Sequence, residues 1–306
     1  MLELPEKYIE SIISMFGEEG KNWLDSINPI LDKYINKFNL INIKLIDNLT
    51  YNLVLFAECE EYGKVILKIW LPDNEAKREM LVLEKYNENH TCKCYYSNKE
   101  DNIMILERLI PGETLHNIKN KEERIKLFCD VALNLIVKVE ENLELPTYRE
   151  VLNRTFKKAE KELERYVKIK ELINMADTFY KEIENSNLQK YILHADLHHD
   201  NILTSGNNRK AIDPHGFIGE KALETARFIE NEIKDEEITK DEILEIIELM
   251  SKYFKEEKKL ICKCLFIDKV LSTCWDIEGN FEDAYINKDI NTLQLILDCY
   301  NIINAK

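Results

Sequence analysis

Leu193-His194-Ala195-Asp196-Leu197-His198-His199-Asp200-Asn201-Ile202-Leu203 is the densest chemical signal in the chain, and Ile212-Asp213-Pro214 follows it closely. Four of the six histidines lie between 194 and 215. His198 and His199 are adjacent and would face opposite ways on a strand, which argues against a shared zinc ion. Oxygen donors explain the stretch better. Phosphoryl transfer from a nucleoside triphosphate needs one carboxylate near a hydroxyl proton. It also needs an amide oxygen and a second carboxylate to hold magnesium on the phosphates. Asp196, Asn201 and Asp213 supply those groups. The apolar pairs Ile202-Leu203 and Ala211-Ile212 predict a short hairpin, which brings the loops carrying Asn201 and Asp213 together with little backbone freedom. A polar hairpin without function is the bland alternative.

Working outward, a phosphate-binding cation held by an acid is the next requirement. Lys68 sits in Val65-Ile66-Leu67-Lys68-Ile69-Trp70, a charge inside an apolar strand, and Glu75 and Glu79 follow on a predicted helix over 74–88. Glu79 is the better placed, one helical turn from Leu83. Around Lys68 the period is that of strands, with 41–46, 53–59 and 65–70 rich in β-branched residues and Glu60-Glu61-Tyr62-Gly63 as a hairpin turn. Two helices, 5–16 and 20–38, precede them. Strands near 92–97 and 102–107 close a unit of sheet plus helix. Pro111-Gly112 then punctuates the chain, and the expected division is 1–108 for a nucleotide-binding lobe and 109–306 for a mostly helical one. The charged stretch 157–171 reads as the solvated face of one long helix.

The net charge of −15 makes an extended phosphate backbone an unsuitable partner and favours a cationic one. Acids in Met1-Leu2-Glu3-Leu4-Pro5-Glu6 and the absence of a long apolar run predict neither secretion nor a membrane span, hence a cytoplasmic protein. The eight cysteines are scattered through predicted helices and strands and lack zinc-site spacing, so they read as reduced thiols.

Val65-Ile66-Leu67-Lys68, Leu106-Glu107-Arg108-Leu109-Ile110-Pro111-Gly112, the run 193–203, Ala211-Ile212-Asp213-Pro214-His215-Gly216 and, weakly, Leu271-Ser272-Thr273-Cys274-Trp275 resemble the aminoglycoside phosphotransferase-like kinases. Within them the likeness is to the streptomycin and hydroxyurea kinase branch, over about residues 41–280. The resemblance implies an α+β, two-lobed protein-kinase-like fold, with a small antiparallel-sheet lobe, a larger helical lobe and the nucleotide between them. It places the catalytic base at Asp196, the Mg2+ ligands at Asn201 and Asp213, and the phosphate lysine and its glutamate at Lys68 and Glu79. The adenine-binding hinge falls on Glu107, Arg108 and Leu109, and His194 and Glu224 support the catalytic loop. ATP or GTP is the implied co-substrate. Several positions depart from the pattern. The loop 47–52 has no glycine, so Thr50 and Asn52 are candidates for side-chain bonds to phosphate. Ala195 and Asp200 stand where many relatives carry glycine, and His215 where lysine is frequent.

These features predict phosphorylation of a hydroxyl on a small, cationic antibiotic. The alternatives are a metabolic kinase acting on a sugar, choline-like or amino-alcohol acceptor, and a non-catalytic nucleotide-binding module. A protein kinase fits poorly, because no Asp-Phe-Gly, Ala-Pro-Glu or normal activation segment follows Asp213. Acids for a cationic acceptor are expected at Glu230 and Glu232, on the helix leaving the Asp213 loop, and at Asp276 and Glu278 after Trp275.

Overall fold

The computed structural model describes residues 2–47, 49, 51–71, 74–140, 142–159, 166–234, 238–279 and 281–305. They form two compact units, one running through Gly112 and including Thr204–Lys210, the other comprising Glu113–Leu203 and the residues from Ala211 onward. The division therefore falls at Gly112 rather than after Arg108, and the hairpin tip 204–210 counts with the first unit.

In the first unit, α1 (Glu6–Phe38) contains Gly17 at φ +56°, ψ −129°, which breaks the helical path between the two expected segments. Five strands follow: β1 (Ile41–Leu45), β2 (Leu53–Cys59), β3 (Gly63–Ile69), β4 (Cys94–Asn98) and β5 (Ile103–Glu107), with α2 (Asn74–Lys85) between β3 and β4. All pairings are antiparallel, in the order β1-β2-β3-β5-β4. Alternation decides the two faces. Leu53, Leu55, Ala57, Val65, Leu67, Ile69, Ile103 and Ile105 form one core with Ile12, Trp23, Ile27, Leu31 and Tyr34 of α1. Lys68 therefore points to the opposite face, where α2 lies. After β5 the chain turns into β6 (Pro111–Thr114). Gly112 has φ +78°, and a Cβ there would stand 2.9 Å from the Leu109 carbonyl oxygen, so only glycine fits.

The second unit contains α3 (Lys121–Leu135), β7 (Val137–Lys138), α4 (Tyr148–Ala159), α5 (Val167–Asn185) and β8 (Lys190–Leu193). The hairpin of β9 (Ile202–Ser205) and β10 (Asn208–Ala211) leads to β11 (Phe217–Glu220), α6 (Glu224–Glu232), α7 (Lys240–Phe254), α8 (Lys258–Glu278) and α9 (Asp283–Asn304). α8 is buried on nearly every side from Ile261 to Cys274, because α4, α5, α6, α7 and α9 all pack against it. That placement explains its lack of a polar stripe. β8 pairs antiparallel with both β7 and β11. The one long helix expected over 157–171 is not formed: α4 ends at Ala159, and Tyr166 has non-helical φ −127°, ψ 65° before α5, with 160–165 outside the described residues. All eight cysteines are free thiols, seven of them buried. Among the described residues no helix is long and apolar enough to cross a membrane.

Candidate active site

Lys68 and Glu79 meet on the α2 side of the sheet. Lys68 Nζ donates to both Glu79 carboxylate oxygens, at 3.0 and 2.8 Å, and each residue is only 5% exposed. The lysine also lies 4.8 Å from the centre of the Trp70 ring. Glu75, the other sequence candidate, pairs with Arg78 at the surface instead. A buried pair of this kind is costly to break from one side. Removing one partner strands the other charge and destabilises by about 3–5 kcal/mol, whereas replacing both by apolar residues can be nearly neutral. Lys68→Met and Glu79→Leu together should therefore cost far less than the sum of the two single substitutions, measured by urea unfolding in a double-mutant cycle. Additive losses would contradict the pairing.

At the end of β5, the Glu107 backbone N–H donates to the Lys93 carbonyl at 2.7 Å, and its carboxylate accepts from Lys210 at 2.7 Å. The Arg108 guanidinium stacks 3.8 Å over Phe56, and Leu109 is buried. Asn52 stands half-buried just before β2; Thr50 lies outside the described residues.

In the second unit two loops are bound together edge to edge. β8 delivers His194 through Asp196, a 3-10 turn spans His199–Asn201, and the β9–β10 hairpin returns the chain to Ile212 and Asp213. The His194 carbonyl accepts from the N–H groups of His215 (2.8 Å) and Gly216 (3.3 Å), and Ile212 N–H donates to the Asn201 carbonyl at 3.0 Å. His194 is fully buried. Its Nε2–H donates to the Ile212 carbonyl at 2.8 Å while Nδ1 accepts from Asp196 N–H at 3.3 Å. Burial pushes its pKa down to about 4, so the ring is neutral and serves as a spacer with one donor and one acceptor. Glu224, first residue of α6, accepts the N–H groups of His194 (2.7 Å) and Ala195 (3.2 Å), and burial pushes its carboxyl up to about 7 despite those bonds.

Asp196 is thereby aimed outward with a side chain 23% exposed. Burial alone would raise its pKa, but the hydrogen bond from His198 and the charges of His215 and Arg227 outweigh it and hold the carboxyl well below the usual range. His198 Nε2, His215 Nε2 and Arg227 Nε lie 3.6, 3.7 and 3.7 Å from its oxygens. Asn201 donates Nδ2 to the Asp196 carbonyl at 2.8 Å and to Asp196 Oδ2 at 3.1 Å. With the amide nitrogen so committed, its oxygen is the atom left for a cation. Asp213 has φ +58°, a left-handed conformation that aspartate tolerates better than most residues, and is half-buried. An amide oxygen and a carboxylate are hard donors that fit Mg2+.

Beside Asp196 opens a cavity of about 390 Å3 between α6, α8 and α9. Glu230 and Asp276 line it, but Glu232 and Glu278 do not. Residues two apart on a helix point about 200° away from each other, so each expected pair divides between two faces. Glu232 is sequestered with Arg124 and His199, whose hydrogen bonds outweigh burial and bring its pKa down to about 2, and Glu278 pairs with Lys158 at 3.2 Å. The sequence reading missed Asp289, Lys269, Ser272 and Arg227. Arg227 is wedged between Asp196 (3.7 Å), Asp268 (3.3 Å) and Glu230 (3.8 Å). Its signal was its spacing, three residues from Glu224 and three from Glu230 on α6. That of Asp289 was a polar stripe, Tyr285, Lys288, Asp289 and Thr292, along α9.

The sequence matches the model of the aminoglycoside/hydroxyurea antibiotic resistance kinase family over residues 52–279. The chain belongs to that family. Streptomycin 6-kinase of Streptomyces glaucescens is 21% identical over 136 residues, a match that spans 44% of either chain. Streptomycin 6-kinase of Streptomyces griseus is 19% identical over 238 residues, 73% of either chain. Among solved structures, a choline/ethanolamine kinase family protein from Mesorhizobium loti superposes with a TM-score of 0.65 at 14% identity, covering 90% of this chain and 98% of its own. The fold is the two-lobed, protein-kinase-like α+β fold. As a member of the family the chain is an ATP-dependent phosphotransferase with a hydroxyl group on a small molecule as acceptor. One departure from the family pattern leaves a mark on the backbone: Ala195 has φ +65°, a conformation that glycine adopts without the cost of about 1–2 kcal/mol borne by other residues.

Proposed function

We propose that the chain transfers the γ-phosphoryl group of ATP, or GTP, to a hydroxyl of a cationic aminoglycoside of the streptomycin type, with Mg2+ held through Asn201 and Asp213. The observation that carries the acceptor class is the wall of the cavity beside Asp196. It has five carboxylates, Asp196, Asp200, Glu230, Asp276 and Asp289, against the cations Arg227, Lys234, Lys269 and Lys288. Two of those cations are engaged from within, Lys269 with Asp289 at 2.6 Å and Arg227 with buried Asp268. With those pairs set aside, the carboxyls of Asp196, Asp200, Glu230 and Asp276 outnumber the remaining cations, Lys234 and Lys288, although Glu230 also stands 3.8 Å from Arg227. A quaternary ammonium is recognised by a cage of Trp, Tyr or Phe rings, and among the described lining residues Tyr285 is the one side chain of those three types. This disfavours a choline-like acceptor.

In this reading Asp196 orients the acceptor hydroxyl. A carboxyl held so far below its usual range is a weak base in the ground state, so the proton moves to it late, as the new O–P bond forms and the bond from Pγ to the β-phosphate oxygen breaks. Lys68, steadied by Glu79, neutralises phosphate charge; backbone groups of Glu107, Arg108 and Leu109 hold the adenine; and the Asn52 side chain adds a phosphate bond. Among the described residues no three His, Cys, Asp or Glu side chains gather to hold a metal, so the cation would rest on Asn201, Asp213 and the nucleotide itself. When bound it would offset the charge that develops on the phosphates.

Nucleotide consumption over a panel of streptomycin, other aminoglycosides, choline, ethanolamine and neutral sugars tests the acceptor class. Streptomycin-type compounds should be the best substrates, and a preference for choline or a neutral sugar would overturn the reading.

The cavity also sets a pH dependence. Burial pushes Glu230 up to about 8, with Asp268 adding to it and Arg227 and Lys269 opposing. Burial and then Asp289 push Asp276 up to about 6, against Lys269 and Arg227. Both carboxyls therefore lose their protons as pH rises from 6 to 8, and only the ionised forms attract a cation. A guanidinium stays charged throughout. The KM for a guanidinium-bearing acceptor should fall across that range while the nucleotide KM changes little; an acceptor KM that rose would contradict the assignment.

A further inference from the structure

Glu232 fails as an acceptor ligand, yet it is among the most tightly held acids of the second unit. Its carboxylate takes a two-pronged grip from Arg124, Nε to Oε1 and Nη2 to Oε2, both at 2.7 Å, and accepts His199 Nε2–H at 2.7 Å. Its side chain is 3% exposed and that of His199 4%. Arg124, on α3, spends its third nitrogen on the carbonyls of Ile118 (2.8 Å) and Lys119 (3.1 Å). The His199 ring lies between two others. His116 stacks at 4.8 Å and 19° on one side, Phe228 of α6 at 4.4 Å and 8° on the other, and Phe128 of α3 stacks on Phe228 at 4.3 Å. Three separate segments therefore converge on one side chain of the 3-10 turn His199–Asn201.

We propose that Arg124, Glu232 and His199 form a positioning clamp that fixes this turn so that the Asn201 amide oxygen faces the cation site, an inference that rests on the reading of Asn201 as a cation ligand. Two observations support a role beyond packing. His199 Nδ1 is buried with no hydrogen-bond partner. A phenyl ring would fill the same stack without leaving a buried polar atom orphaned, which is unfavourable. What the imidazole adds is the Nε2–H bond to Glu232. The turn is also short: Asn201 N–H closes onto the His198 carbonyl at 3.1 Å, and the Asn201 side chain is pinned to Asp196. A swing of His199 is passed directly to Asn201, which is two residues away with no flexible element between them.

Partners that orient a metal ligand typically change metal affinity or activity by about 10–100-fold when replaced. Calorimetry with ADP measures this without turnover, once in excess Mg2+ and once in EDTA. Asn201→Ala is the reference, Glu232→Gln removes the charge from the clamp, and His199→Phe keeps the stack while deleting the bond. Glu232→Gln and His199→Phe should each weaken Mg·ADP binding by about tenfold and leave metal-free ADP binding as in the wild type. Arg124→Lys, which keeps charge but loses the fork, should fall between. If the clamp only stabilises the fold, the variants will melt at lower temperature with an unchanged ratio of Mg·ADP to metal-free ADP affinity, and the proposal is overturned. If Asn201→Ala itself leaves that ratio unchanged, the cation-ligand reading fails, and the clamp with it. A changed ratio for Asn201→Ala but not for Glu232→Gln or His199→Phe would sink the clamp alone.

Discussion

Asp196→Asn is expected to lower turnover by roughly 10²–10⁴-fold, the range over which a positioned acid or base contributes. Asparagine keeps the size of the side chain, and its amide can still sit among His198, His215 and Arg227, so the loop should keep its shape. What the proposed mechanism loses is the negative charge that would orient the acceptor hydroxyl and the atom that would take its proton. Nucleotide affinity should survive, because the proposed nucleotide and metal contacts, Lys68, residues 107–109 and Asp213, are untouched. Steady-state rates with a streptomycin-type acceptor, alongside calorimetry with Mg·ADP, separate the two effects. A variant that kept more than half the wild-type rate would remove Asp196 from the chemistry.

Asp213→Ala should have a comparable or larger effect by a different route. In the proposed reading it deletes one of the two protein oxygen donors assigned to magnesium, the other being that of Asn201, and a cation held by so few ligands cannot spare one. Turnover should collapse at any practical magnesium concentration, while Asp196 keeps its geometry, because the bonds of His194 to Ile212, His215 and Gly216 involve backbone and the His194 ring, not the Asp213 side chain. Activity that persisted in the wild type under full chelation would defeat the assignment of Asn201 and Asp213 as cation ligands.

The parts of this site that were legible in the sequence are those whose geometry is local. Asn201 and Asp213 are joined by a hairpin of fixed length, so their approach follows from the pattern of Ile202 to Ile212. The Lys68–Glu79 pair follows from a strand and the next helix, where alternation puts Lys68 on one face and helical spacing brings Glu79 to it. The five strands and α2 were legible for the same reason. The cavity beside Asp196 was not. Its walls come from α6, α8 and α9, and the sequence announces amphipathic faces without saying which two of three helices share a polar one. Period alone could have divided Glu230 from Glu232 and Asp276 from Glu278, since a helix cannot present both members of such a pair. It could not have chosen between them. α8 was hardest to read, because a helix buried on nearly every side has no stripe to mark where Lys269, Ser272 and Asp276 emerge.

The central claim is transfer to an acceptor, not cleavage of nucleotide, and phosphorus NMR of one reaction mixture tests it most directly. With enzyme, ATP, magnesium and streptomycin, a phosphate monoester signal should grow in step with ADP, should carry coupling to a sugar or cyclitol carbon-bound proton, and should grow at least about a hundredfold more slowly with Asp196→Asn. ADP accompanied only by inorganic phosphate, or a monoester forming equally well with Asp196→Asn, would contradict the account.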